Sequence, residues 1–583
     1  MTEELAQQWG VESGYHDVFG NWHKTHPDTL NQIVSRLSAG RAHPAHVPHP
    51  EHWQAFQGDG ARRWGIAVQL YAVRSARNWG IGDFSDLREV LEVAAQSGAD
   101  AVGLNPLHSL FLDNPGNASP YAPTSRLFLN PLYIDVTALP EYRADDIPQL
   151  SQTVERLQAE DLVDYPGVAA LKEAALRRSY ERFVKEGAPE RRAAFDSFRN
   201  EQGEKLTRFA CFEVLRRRFP NTSWRQWPDP WRHPDASALA RLRTEEDHAC
   251  GFFEFLQWAA DEQLGRCRQR AQELGMSIGL YLDLAVGGDP DGADTWSHQS
   301  AVLTDFSIGA PPDEFNPAGQ DWGLAPFNPH ALPDNDFAIF RALLAAAMRH
   351  AGAVRLDHVL GLMRLFLVPH GATAAEGAYV RFPFEALLRV IAEESHRHHC
   401  IFIGEDLGTV PEGFRETAER WGVWSYRVMV FERWGDGEFK PAHEYPAQAL
   451  ATFNTHDLPT FRGWITGHDL RVKRELGIDP GENEESRGHG RAALQRALSR
   501  ATGAQDLSFA AAAAYLAETP SRLVMVAVDD LLDVADQTNI PGTIDQHPNW
   551  RRKLPVPVER WREVETWKAV TEAFARSGRS IGR

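Results

Sequence analysis

The sequence predicts a (β/α)₈ barrel, an α/β fold in which eight parallel strands alternate with helices. From Trp64 onwards, apolar runs of strand length alternate with amphipathic helical stretches. Three carboxylates, Asp357, Glu405 and Asp457, each follow an apolar, strand-like stretch and open a loop. They are spaced by roughly one βα unit, and functional residues of barrel proteins lie at such strand ends.

The strands of the barrel are predicted from eight apolar runs: Trp64–Tyr71, Ala101–His108, Ser277–Val286, Ala353–Leu360, Cys400–Leu407, Trp424–Phe431, Ala449–Asn454 and Leu523–Asp530. Helical periodicity precedes several of them, at Asp86–Gln96, Phe252–Leu274, Phe337–His350 and Phe384–His399. This alternation favours a parallel barrel over a sandwich.

Other segments do not fit the βα alternation. Residues 1–60 are predicted to form an N-terminal segment with one helix, Pro27–Leu37, and a proline-rich linker, Arg41–Trp53. Residues 61–583 then form the barrel domain. Within it, residues from about 138 to 250 and from about 462 to 515 are predicted to be helical insertions in βα loops.

The composition indicates a large globular protein that does not bind nucleic acid or anionic membranes. The chain has 583 residues, 43% of them hydrophobic, and a net charge of −19. No apolar run approaches the roughly 18 residues of a membrane span, and the acidic start MTEELAQQWG is unlike a signal peptide. The four cysteines form no CxxC motif. We therefore expect a cytoplasmic protein without a metal or organic cofactor.

The three strand-end acids suggest glycosidic bond chemistry. Retaining glycosyl transfer needs a nucleophilic carboxylate and a second carboxyl group that protonates the leaving oxygen. A third carboxylate can stabilise the cationic transition state. Arg355 lies two residues before Asp357 on the same face of a strand, where it can keep that acid ionised. The alternative for each single Asp is a helix N-cap.

Several neighbouring polar residues have more than one interpretation. His456 precedes Asp457 and can donate to sugar hydroxyls. Asp283 either binds sugar hydroxyls or stabilises the rim of the barrel. Asp406, directly after Glu405, is the better candidate for a structural role.

The runs around the three acids, VRLDHVLG, GEDLGTVPE and NTHDLPT, resemble segments of the 4-α-glucanotransferases, or amylomaltases, which form glycoside hydrolase family 77 in the α-amylase clan. Other runs agree in colinear order from about Trp64 to Pro555. They are NASPYAPTSRLFLNPLYID (117–135), GAPPDEFNPAGQDWG (309–323), QTNIPGT (537–543) and HPNWRRKLP (547–555).

The resemblance implies a role for each acid. Asp357 would be the nucleophile, Glu405 the general acid and then the base, and Asp457 the transition-state stabiliser. Contacts with substrate are implied for Ser119, Tyr121, Gln320, Trp322 and Asn539, and contacts with the nucleophile or the sugar for Arg355, His358 and His456. Asp283 is a further candidate for substrate binding from its position on the third strand. The run 309–323 would be a mobile loop over the site.

The resemblance implies transfer of an α-1,4-glucan segment to the 4-hydroxyl of glucose or of another glucan. Its partners would be glucose and maltodextrins, starch or glycogen-derived glucans, with the protein a monomer or homodimer. Two alternatives remain, an α-glucan hydrolase that uses the same acids and a non-catalytic glucan-binding protein. The run LAVGGD (284–289) lacks the histidine that many amylases carry there, which favours the transferase.

Overall fold

Eight parallel strands close into a barrel in the computed structural model, which describes residues 3–17, 20–147, 149–312 and 318–580. The strands are β1 Arg63–Val68, β2 Ala101–Leu104, β3 Gly279–Leu284, β4 Ala353–Leu356, β5 Ile401–Gly404, β6 Trp424–Val428, β7 Ala449–Thr452 and β8 Leu523–Ala527. They follow one another around the barrel in chain order, with β8 beside β1. All eight predicted strands are confirmed, although each ends a few residues earlier than the apolar run.

Alternation along each strand separates the interior of the barrel from its helical shell. Tyr281, Ile403 and Met525 belong to the cluster that fills the barrel, whereas their neighbours pack outwards in the main core. Gly103 on β2 faces inwards, and a Cβ atom there would meet a ring carbon of Tyr281 at 2.7 Å. The interior is therefore packed with side chains.

Helices cover the barrel and form the long connections. The α-helices are Glu3–Gln8, Pro27–Leu37, Phe84–Gln96, Leu150–Ala159, Tyr165–Glu186, Pro189–Gln202, Glu204–Arg218, Ala236–Glu245, Asp247–Glu273, Ala293–Ser297, Ala338–Met348, Phe384–His398, Phe414–Arg420, Phe461–Thr466, His468–Glu475, Glu484–Thr502, Phe509–Ala517, Val528–Leu531 and Glu565–Arg576. None of the helices in the described ranges is long and apolar enough to cross a membrane.

The helix after β1 shows how local sequence sets a boundary. It was predicted to begin at Asp86 and instead begins at Phe84. Asp83 is the N-cap, and a capping box joins its side chain and backbone to Asp86. The acids at the start of this run are therefore capping groups.

A four-stranded antiparallel sheet beside the barrel was not predicted. Its strands, in spatial order, are Ala378–Arg381, Arg364–Pro369, Phe306–Ala310 and Gln320–Leu324. They come from the connections after β3 and β4. The predicted loop 309–323 joins the last two strands, and its residues 313–317 lie outside the described part of the chain.

The N-terminal segment packs on this sheet. The helix Pro27–Leu37, confirmed at its predicted bounds, buries Ile33 and Leu37 in one apolar cluster with Leu367 and Val380 of the sheet. A short hairpin, Gly14–His16 with Trp22–Lys24, precedes that helix. The N-terminal residues thus share a core with loops on the carboxyl side of the barrel. The remaining two-stranded sheet pairs His108–Ser109 with Ser125–Leu129.

Candidate active site

Strand register brings two of the three acids together. β4 and β5 are adjacent and parallel, and Leu356 is paired with Gly404. Asp357 and Glu405 directly follow these paired residues, so they leave neighbouring strands at the same level. The backbone N–H of His358 donates to Glu405 Oε2 at 2.9 Å, which ties the two strand ends to each other.

Arg355 connects the nucleophile candidate to the neighbouring strand. One guanidinium nitrogen donates to Asp283 Oδ2 at 2.6 Å and the other to Asp357 Oδ1 at 2.9 Å. The predicted pairing of Arg355 with Asp357 is confirmed. Burial raises the pKa of Asp357 to about 6, because Arg355 only partly offsets the loss of water and Asp283 and Glu405 add negative charge.

Glu405 is enclosed and held mainly by backbone groups. Its side chain accepts from the backbone N–H of His358 at 2.9 Å and of Leu407 at 2.7 Å. Burial raises the pKa of Glu405 despite these bonds and the attraction of Arg355. A carboxyl group with a raised pKa, beside a second acid that Arg355 pairs, is suited to deliver a proton.

Asp457 lies in a different setting across the cleft. Its carboxylate accepts from Asn539 Nδ2 at 2.5 Å and lies 3.3 Å from His456 Nε2. Burial opposes ionisation, but the His456 charge and the two hydrogen bonds outweigh it and lower the pKa of Asp457. In turn, burial lowers the pKa of His456, but Asp457 outweighs that effect and raises it. The pair therefore favours an anionic Asp457.

An aromatic group forms the floor beside this pair. The Tyr121 ring stacks on the His456 ring with centroids 4.7 Å apart, and the ring centroids of Tyr121 and Trp550 are 5.5 Å apart. The Tyr121 hydroxyl donates to Asp283 Oδ2 at 2.6 Å. Asp283 thus binds both Tyr121 and Arg355, which favours a positioning role, while its buried Oδ1 has no hydrogen-bond partner in the described part of the chain.

The opposite wall comes from the loop sheet. Trp322 Nε1 donates to Gln320 Oε1 at 3.1 Å, and the Trp322 ring meets His358 edge-on with centroids 5.1 Å apart. Burial lowers the pKa of His358, which keeps its imidazole neutral and able to hydrogen-bond a hydroxyl.

Most of the predicted site residues line one cleft of about 1250 Å³ over the strand ends. They are Ser119, Tyr121, Gln320, Trp322, Asp357, His358, Glu405, His456, Asp457 and Asn539. Asp283 and Arg355 lie deeper and line a cavity of about 80 Å³ that shares His456 with the cleft. The structure therefore brings together all twelve predicted site residues.

Asp406 is separate from this group in its contacts. It is buried, accepts from Arg415 Nε at 2.6 Å and accepts from the backbone N–H of Tyr426 at 3.0 Å. These contacts join the end of β5 to the following helix and to β6, as expected for a structural residue.

Sequence reasoning missed four residues that contribute to the site. Trp550 lies in the HPNWRRKLP run but was not singled out, because the chain has 18 tryptophans and nothing local marks this one. The second is Tyr426 on β6, whose ring centroid lies 5.4 Å from the guanidinium carbon of Arg355. Tyr15 and His16 line the cleft from the N-terminal hairpin, where no motif pointed to the site.

Comparison with known proteins identifies similar chains. The model of glycoside hydrolase family 77, described as 4-alpha-glucanotransferase, matches residues 68–558. The 4-alpha-glucanotransferase of Mycobacterium tuberculosis (strain H37Rv) is 40% identical over 527 residues, or 85% of this chain and 72% of the relative. That of Haemophilus influenzae is 38% identical over 530 residues, covering 85% and 76%.

Solved structures agree with these sequence relatives. The amylomaltase from Corynebacterium glutamicum superposes with a TM-score of 0.87 at 28% identity, over 98% of this chain and 99% of that one. An amylomaltase from Streptococcus agalactiae, solved with acarbose, gives a TM-score of 0.72 at 19% identity over 89% and 100%. The second similarity concerns the fold alone.

Proposed function

Since this chain belongs to glycoside hydrolase family 77, the 4-α-glucanotransferases, we propose that its three strand-end acids carry out a retaining double displacement. The enzyme transfers a segment of an α-1,4-glucan to the 4-hydroxyl of glucose or of another glucan. The observation that best supports the division of roles is the different partner of each acid. Asp357 is paired with Arg355, Glu405 accepts backbone N–H groups, and Asp457 is paired with His456.

In the first step, the Asp357 carboxylate attacks C1 of the donor sugar as Glu405 gives its proton to the glycosidic oxygen. The C1–O bond breaks, the leaving fragment departs with a free 4-hydroxyl, and the donor fragment stays on Asp357 as an ester. The Arg355 hydrogen bond favours the ionised form of Asp357. Burial favours the protonated form of Glu405.

In the second step, Glu405 acts as the base. It takes the proton from the 4-hydroxyl of an acceptor, whose oxygen attacks C1 and releases the Asp357 carboxylate. Asp457, held anionic by His456 and Asn539, stabilises the positive charge that develops on the sugar in both steps. Tyr121 offers a flat surface to the sugar being transferred.

We propose maltodextrins and starch- or glycogen-derived glucans as donors and acceptors, with glucose as the smallest acceptor. The cleft supports this assignment because it combines aromatic rings with carboxylates, amides and imidazoles that can bind hydroxyl groups. A cytoplasmic location, where the four buried cysteines stay reduced, and a monomeric or dimeric state are part of the same proposal.

Trapping the ester tests the assignment of the nucleophile. In a Glu405→Gln variant, an α-maltotriosyl fluoride can still react, because fluoride leaves without a proton, while breakdown of the ester lacks its base. We expect mass spectrometry to find a maltotriosyl adduct on the peptide that contains Asp357. An adduct on a peptide containing Asp457 instead, or steady turnover with no adduct under these conditions, would contradict the proposed roles.

A further inference from the structure

A second chamber of about 620 Å³ adjoins the active-site cleft. Both strands of the N-terminal hairpin line it, together with Arg364, Arg381 and Thr409 from the barrel loops. Tyr15, His16, Asp17, Arg364 and Thr409 line the cleft as well, so the two spaces are continuous.

The hairpin has an anchored side and an open side. The Tyr15 ring is buried and packs edge-on against Phe366, with centroids 5.8 Å apart, and Tyr379, with centroids 6.0 Å apart. On the open side, His16 and Trp22 are paired across the strands with ring centroids 4.8 Å apart. Trp22 lines the chamber with 52% of its surface exposed.

The chamber has the mixture of groups that a neutral sugar requires. The indole ring of Trp22 offers a flat apolar surface, while His16 and the arginines offer hydrogen-bond donors. Arg364 already pairs with Glu12 at 2.9 Å and lies over the Tyr379 ring at 4.0 Å. Because the two arginines of the lining are matched by two acids, Glu12 and Asp17, a neutral ligand fits this wall better than an anion.

The position of the chamber indicates which end of the glucan it meets. Thr409, which lines both spaces, lies a few residues beyond Glu405, and Arg364 follows β4. The general acid faces the oxygen of the leaving or incoming fragment. In contrast, the Tyr121, His456 and Trp550 rings lie beside Asp457. The chamber therefore lies on the acceptor side.

We propose that the N-terminal hairpin forms a remote acceptor subsite, in which Trp22 and His16 bind glucosyl units of a long α-1,4-glucan far from the cleaved bond. This inference rests on the proposed function. Glu405 lines the cleft and Trp22 lines only the chamber, so an acceptor chain must extend beyond the cleft to reach Trp22. The hairpin would thus set a preference for acceptor length without changing the chemistry.

Acceptors of two lengths test this proposal. Maltose and maltohexaose, each tagged with a fluorophore at the reducing end, are supplied with maltotriose as donor, and the initial rate of tagged, elongated product is measured. We expect the Trp22→Ala variant to lower the ratio of kcat/KM for the long acceptor to that for the short one by about fivefold, the size of one aromatic contact. Its rate with tagged maltose should stay within about twofold of the unmodified enzyme.

Trp53→Ala is the matched control, because Trp53 is 49% exposed and stacks on His396 but lies outside the cleft and the chamber. Trp53→Ala should leave the ratio of long-acceptor to short-acceptor kcat/KM unchanged. Trp22→Phe should keep most of the unmodified enzyme's ratio, and His16→Ala should lower the ratio. Thermal unfolding checks that each variant is folded.

The proposal would be overturned if Trp22→Ala had the same ratio of long-acceptor to short-acceptor kcat/KM as the unmodified enzyme. It would also be overturned if Trp53→Ala lowered that ratio as much as Trp22→Ala does. An unmodified enzyme that does not prefer the long acceptor would overturn it as well. If the unmodified enzyme fails to elongate tagged maltose at all, the proposed transferase reaction itself has failed, which is a distinct result.

Discussion

The two sides of the cleft place the same kind of residue in opposite electrostatic settings. On the β4–β5 side, burial raises the pKa of both Asp357 and Glu405. On the β7 side, His456 and Asn539 outweigh burial and lower the pKa of Asp457. Position at a strand end therefore does not decide protonation. The deciding factor is whether the charges and hydrogen bonds around the acid outweigh its burial.

This difference matches the work that each side performs. The β4–β5 side exchanges protons and forms a bond, so its acids need pKa values near the working pH. The β7 side responds to positive charge on the sugar and must stay anionic throughout the reaction. The variants below change one side at a time.

The largest effect is expected on the bond-forming side. Asp357→Asn should lower transfer and hydrolysis together by about 10⁴-fold or more, because both reactions pass through the same ester. Initial rates of maltotriose disproportionation and of reducing-end release would measure this. Asp436→Asn, which changes an exposed loop acid, is the control and should behave like the unmodified enzyme. Near-normal transfer by folded Asp357→Asn would show that another group is the nucleophile.

A smaller effect is expected on the electrostatic side. Asp457→Asn should lower kcat by about 10²- to 10³-fold, the cost of removing one preorganised group that stabilises the transition state. Asn539→Ala should have a weaker effect in the same direction, since it removes one hydrogen bond and leaves the charge. Formation of the Asp357 adduct from a glycosyl fluoride should become slower but still occur. If Asp457→Asn changes only KM, the acid binds ground-state sugar and the contrast between the two sides is wrong.

The contrast could be predicted only in part from the sequence. All eight barrel strands were predicted because apolar runs are a local signal. The Arg355 to Asp357 pairing followed from the two-residue period of a strand. The opposite pKa directions did not follow, because they depend on His456 and Asn539, and the latter comes from a loop about 80 residues further along the chain.

The loop sheet and the hairpin show a second limit. Gln320–Leu324 reads QDWGL, a short polar run without strand alternation, and it becomes a strand by pairing with Phe306–Ala310. Arg364–Pro369 pairs with a strand from the preceding barrel loop. Such pairings join distant segments, so no local period reveals them, and the sheet that they form is the surface on which Tyr15 packs beside the cleft.

The pH dependence sharpens the comparison further. Asp357 must be ionised to attack, so kcat/KM should fall as the pH drops through about 6, the pKa to which burial raises this group. In Asp283→Asn, a negative neighbour is lost and Arg355 is left to Asp357 alone, and both changes favour ionisation. The acid limb of the kcat/KM profile should therefore move to lower pH by roughly one unit, whatever the maximal kcat/KM of the variant.

Profiles of kcat/KM for maltotriose between pH 4 and 9 would measure the limb, with Asp436→Asn again as the control. A limb that moves to higher pH in Asp283→Asn would mean that Asp283 mainly orients Arg355 and that its charge is secondary.

The smallest effect is expected at Trp322, on the wall above the β4–β5 acids, and it concerns the choice between sugar and water as acceptor. Water is present at about 55 M, so transfer requires a site that binds sugar and limits the access of water to the ester. Trp322 lies against His358, the residue after Asp357, and is linked to Gln320. Trp322→Ala should therefore raise the ratio of hydrolysis to transfer roughly threefold, a change below 1 kcal/mol, while Asp357 still accepts donor. With maltotriose as the only substrate, the amount of longer products measures transfer and the number of new reducing ends measures hydrolysis, because transfer conserves reducing ends.

Trp434→Ala, which removes an exposed indole outside the cleft, is the matched control. Equal slowing of both reactions with an unchanged ratio would assign Trp322 to donor binding and leave water exclusion to other groups.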